Sequence, residues 1–107
     1  MSATEDDPVA ALWREVRPRQ VEAAARLERE LAVVAADPGD HGTWATCREL
    51  AHKLAGTLGT FGEERAGAAA VAIEDLIGGT EAADPATLPE VRELAARIVV
   101  ELERGGA

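Results

Sequence analysis

Apolar residues recur at steps of three and four along most of this chain, the spacing that turns one side of an α-helix toward a core. Asp7 followed by Pro8 is a helix start, and "PVAALWREVR" reads as a short helix that Pro18 ends by withholding a backbone donor. Pro18 opens the next helix, where Val21, Ala24, Leu27, Leu31 and Val34 form the stripe and Glu22, Arg26, Arg29 and Glu30 the surface. "DPGDHG" is turn chemistry. Asp40 or Thr43 then caps a long helix through Trp44, Cys47, Leu50, Ala51, Leu54, Leu58 and Phe61, which should stop near Gly62. A further helix starts at Glu63 or Glu64 and buries Ala66, Ala69, Ala70, Ile73, Leu76 and Ile77 before Gly78–Gly79 ends it. "TLPE" has the form of a capping box, with Thr87 at N-cap and Glu90 at N3. It introduces a last helix with Leu88, Val91, Leu94, Ala95, Ile98 and Leu102 inward.

No stretch alternates with the period of a strand and nothing repeats. The reading is an all-α fold in one domain: a loose start over residues 1–7, a short additional N-terminal helix over 8–17, and an up-and-down antiparallel four-helix bundle over 18–104. Its last few residues, "RGGA", are expected to fray.

Composition sharpens this picture. Hydrophobic residues make up 47% of the 107-residue chain but aromatics only 3%, so the core is built from Leu, Val, Ile and Ala, which suits close-packed helices. The net charge of −9 opposes binding to nucleic acid or to anionic lipid. A single cysteine, Cys47, allows no internal disulfide and no thiolate cluster, and it falls on the apolar stripe. No apolar run approaches the roughly 18 residues of a membrane span. The start, "MSATEDDP", is unlike a signal peptide, so a cytoplasmic protein is expected.

One segment contradicts its own helix. "HKLAGTLGTFG" places Gly56, Gly59 and Gly62 at three-residue intervals in an alanine-rich chain, each at a cost of about 1 kcal/mol in a helix interior. With about 100° per residue, His52 points away from the apolar stripe of its helix, and Gly56 and Gly59 fall within about 40° of it. Ala55 belongs to that face on the same projection, and Gly62 ends the helix. Arg48 stands one turn before His52. An unprotonated imidazole is a competent nucleophile near neutral pH. A face cleared of side chains beside it lets a second protein bring a reactive group close. The glycines alone would equally serve close helix packing. A phosphate-cradling loop lacks its preceding strand, and a metal site lacks further ligands beside His52.

At these residues the chain resembles the histidine-containing phosphotransfer (HPt) domains. Their signature is a histidine on a helix, usually preceded by alanine and followed by glycine at +4 and others near +7 and +10. "ELAHKLAGTLGTFG" supplies Ala51, His52, Leu54, Gly56, Gly59 and Gly62 in those places. The following "AVAIEDLI" is similar to the family's next bundle helix. The resemblance implies that His52 accepts a phosphoryl group from the aspartate of a response-regulator receiver domain, or of a hybrid histidine kinase, and passes it to another receiver. It further implies a phosphocarrier without kinase activity, with no cofactor of its own, Mg²⁺ being needed only in the partner receiver. The even bundle suggests a monomer.

Many family members carry lysine at +3, where this chain has Ala55. Lys53 lies about 100° round the helix from His52, which leaves Arg48 as the better-placed cation. His41, in a turn, is assigned no role, and Trp13 and Trp44 are read as core anchors. Glu74 and Asp75 are acidic neighbours of the motif without a catalytic assignment. Two rival readings remain: a bundle that docks on a receiver or other signalling protein without phosphoryl chemistry, and a structural bundle. The structural bundle predicts that Gly56 and Gly59 face a neighbouring helix and that His52 is hemmed in or salt-bridged.

Overall fold

The computed structural model describes residues 7–105. They form four helices, α1 (Pro8–Ala36), α2 (His41–Thr60), α3 (Glu64–Ile77) and α4 (Leu88–Gly105). Each starts and ends for local reasons. The Asp7 carboxylate accepts from the Val9 N–H at 2.9 Å to open α1, and Asp40 does the same for α2 through the Thr43 N–H at 3.0 Å. Gly62, at φ 71°, turns the chain out of α2 in the left-handed region that favours glycine. At Gly78 a Cβ would lie 2.5 Å from the Glu74 carbonyl oxygen, so only glycine fits this exit from α3.

The four stripes meet in one core. Leu27, Leu31, Leu54, Leu58, Ile73, Ile77, Ile98 and Leu102 are essentially fully buried, and no polar or charged side chain is buried with them among the described residues. Trp44 is the one large aromatic inside; its indole N–H donates to Thr80, at 3.2 Å to the carbonyl oxygen. α1 packs against α2 and α4, and α3 packs against the same two helices. The chain thus runs round a square, up and down, as the connections at 37–40, 61–63 and 78–87 require.

Two local expectations are corrected. Pro18 does not separate two helices: α1 is one 29-residue helix with Pro18 inside it. Contacts on the upstream segment hold it in line. Trp13 packs on Phe61 with ring centroids 5.0 Å apart, and the Arg17 guanidinium donates to the Leu102 carbonyl oxygen on α4. Pro18 itself is exposed, so the carbonyl its ring displaces can turn to water. The additional N-terminal helix is therefore the first third of α1. The second correction concerns the capping box: the Thr87 hydroxyl donates to the Asp84 carbonyl oxygen at 3.1 Å, which stabilises the turn before α4. The expected looseness of residues 1–6 and of 106–107 lies outside the described residues.

Candidate functional site

Helix α2 carries the site. Its N-terminus is fixed by Asp40, whose carboxylate accepts from the Thr43 hydroxyl at 2.6 Å and from the Thr43 N–H. These bonds, the side-chain one foremost, hold the Asp40 carboxyl below the usual carboxylate range. Cys47, Ala51, Leu54 and Leu58 lock the inner face. The outer face projects His52, whose side chain is 78% exposed.

The imidazole is nonetheless held. Its Nδ1 lies 3.1 Å from Glu74 Oε2 on α3. A carboxylate only accepts, so the proton of that bond sits on Nδ1 and the lone pair is left on Nε2. Sequence reasoning gave Glu74 no role, yet the signal was present in the register of the α2–α3 hairpin. His52 and Glu74 are symmetric about residue 63, and so are Gly59 and Gly67, which the fold also brings together: a Cβ on Gly67 would meet the Gly59 amide nitrogen at 3.8 Å.

Two shallow hollows flank His52. One, of about 360 Å³, lies toward α3 and is lined by Arg48, Glu74, Gly78 and Gly79. The other opens toward α1 beside Gln20, Ala23 and Gly56. Gly56 and Gly59 are exposed, and a Cβ on either would meet nothing within 4 Å. Their Cβ directions face open space, although the Gly59 backbone lies beside Gly67 on α3. The structural reading of this face therefore fails for the glycines, while its expectation of a carboxylate partner for His52 is met by Glu74.

The remaining candidates separate. Arg48 is half-buried beside His52, with its Nε out of solvent and without a hydrogen-bond partner. Lys53 turns back along α2, its Nζ 2.9 Å from Glu49 Oε1. That bond keeps the Glu49 carboxyl below its ordinary range. Ala55 is buried and does not share the open face with His52. The close approach of α3 at Gly67, where a Cβ would stand 3.7 Å from Leu58 Cβ, covers that side of α2. Among the described residues no group of three or more His, Cys, Asp or Glu is placed to hold a metal ion. Among them, too, no helix is long and apolar enough to cross a membrane.

A family model described as the Hpt domain matches residues 11–101, most of the chain and all four helices in whole or in large part. No curated protein and no solved structure matches the chain significantly.

Proposed function

The chain belongs to the Hpt domain family, whose members are histidine phosphotransfer modules of two-component signalling and not kinases; from that premise we propose that it is a cytoplasmic phosphocarrier with His52 as its phosphoacceptor. One observation carries the reading. The outer face of α2 presents an exposed imidazole whose Nδ1 is bonded to Glu74, leaving Nε2 free, with bare Gly56 and Gly59 beside it.

In this reading a receiver domain docks over α2 and presents its aspartyl phosphate. The Nε2 lone pair forms the N–P bond as the P–O bond to the aspartyl carboxylate breaks, and the carboxylate leaves with the bonding electrons. The Nδ1 proton stays on the ring, hydrogen-bonded to Glu74, so the positive charge that develops on the imidazole faces a carboxylate. Passing the group to a second receiver reverses these steps. Positioning does most of the work on this side, and any Mg²⁺ belongs to the receiver. Gly56 and Gly59 give the receiver's loops their approach. The carrier acts as a monomer, since one chain completes the bundle.

The test is transfer from a phosphorylated receiver. Acid-labile, base-stable label should appear on the protein and vanish in His52→Gln. Tight receiver binding without label would establish a docking module instead, and neither binding nor label would overturn both.

A further inference from the structure

We propose that Arg48 is the phosphoryl-binding residue of this site, its guanidinium holding the phosphoryl oxygens in the hollow between α2 and α3. The inference rests on His52 being the phosphoacceptor and adds what receives the group once it is there.

A phosphoryl group on Nε2 brings about two negative charges to a surface that is already acidic. The His52 ring is bonded to Glu74, and Glu49 stands on the same helix one turn back. Of the two cations nearest in sequence, Lys53 is engaged by Glu49. Arg48 is not engaged: among the described residues no carboxylate lies within ion-pair distance of it. The other bonded arginines act elsewhere, Arg29 on Glu22, Arg104 on Glu101 and Arg17 on the Leu102 carbonyl.

Position and burial point the same way. Arg48 and His52 are one turn apart on α2, a spacing that puts Cβ atoms about 5–6 Å from each other. Both line the hollow that Glu74, Gly78 and Gly79 complete. The stem of Arg48 is half-buried, with its Nε shut away from water. A buried donor left unmet is costly, and a planar guanidinium with several N–H groups matches phosphoryl oxygens in the bidentate manner. Gly78 and Gly79 add no side chain to the α3 end of its lining. Glu74 would then hold the ring from its Nδ1 side while Arg48 holds the group attached at Nε2.

The experiment loads the protein with phosphoramidate, a small donor whose P–N bond breaks with loss of ammonia as the N–P bond to His52 forms. The second ionisation of the phosphoryl group is then followed by ³¹P NMR against pH. With Arg48 present this ionisation should lie lower than in Arg48→Gln by about one pH unit, the usual effect of an adjacent opposite charge. Arg48→Lys should restore part of the difference, a rescue that a purely structural role would not produce, and circular dichroism checks that each variant is folded. If labelled Arg48→Gln and Arg48→Lys both titrate like the parent, the inference is overturned while the phosphoacceptor stands. If the parent takes no label that His52→Gln abolishes, the phosphoacceptor reading fails and this inference with it.

Discussion

His52 Nδ1 and Glu74 Oε2 lie 3.1 Å apart, joining two helices across a hairpin at a point where both side chains reach solvent. In the neutral ring the bond favours the proton on Nδ1, since a carboxylate only accepts. Glu74→Ala should release the ring, and ¹⁵N correlation spectra of the His52 imidazole should show the Nδ1–H form losing its dominance. Glu74→Gln, which can still accept at that place, should retain it. Because the pair is partly exposed, we expect phosphoryl uptake by Glu74→Ala to fall only about fivefold, the scale of about 1 kcal/mol. Unchanged spectra in Glu74→Ala would remove Glu74 from the mechanism.

The open face makes a two-sided prediction at its glycines. A Cβ on Gly56 or Gly59 meets nothing, so Gly56→Ala and Gly59→Ala should each stabilise the fold by about 0.5–1 kcal/mol through helix propensity. Thermal unfolding should rise accordingly. Gly56→Leu and Gly59→Leu should fold as well and yet lose transfer from a receiver, because the added side chain obstructs docking. A leucine variant that unfolds would show that these positions pack internally, and one that transfers normally would show that the clearance is not used.

The helices and most of their inward residues follow from periodicity, and α4 buries the six residues its stripe names. What periodicity could not supply is anything that depends on a neighbouring helix. Ala55 shares the His52 side of a helical wheel within the angular width of a face, and only the approach of α3 at Gly67 decides that it is covered. Glu74 becomes a partner of His52 through the hairpin register, which no single-helix projection contains. The Thr87 hydroxyl had two local carbonyl or amide partners to choose from, and the turn through Asp84 won. The first two misses share one cause, that a wheel describes one helix alone; the third is a local competition within the turn.

Cys47 offers a check on the core beneath the site. Burial against α2's neighbours, helped by the nearby Glu30 and Asp40 charges, pushes its thiol from 9.0 up to about 12. A folded-state value above the unfolded one means that the thiol contributes stability fully below pH 9.0 and loses it as pH rises toward about 12. Urea unfolding should therefore show a decline over that window which is shallower in Cys47→Ala, measured relative to each variant's own stability at pH 7. A thiol reagent at pH 8 should react with the native protein only as fast as it opens.

Pro18 lies within α1 with no N–H to give to the Arg14 carbonyl, a defect in the middle of the longest helix. The helix continues because both flanks are tied down: Trp13 rests on Phe61, Arg17 reaches Leu102, and from Ala24 onward the stripe is buried. The upstream segment thus depends on tertiary contacts more than the rest of α1 does. Pro18→Ala should restore the missing bond and stabilise the protein by about 1–3 kcal/mol, raising its melting temperature. Arg17→Ala should act in the opposite direction and locally: amide exchange over residues 8–17 should quicken while the protection of Leu27 and Leu31 hardly changes. If Arg17→Ala instead lowered protection uniformly through α1, the helix would be one cooperative unit, and the proline would mark no seam at all.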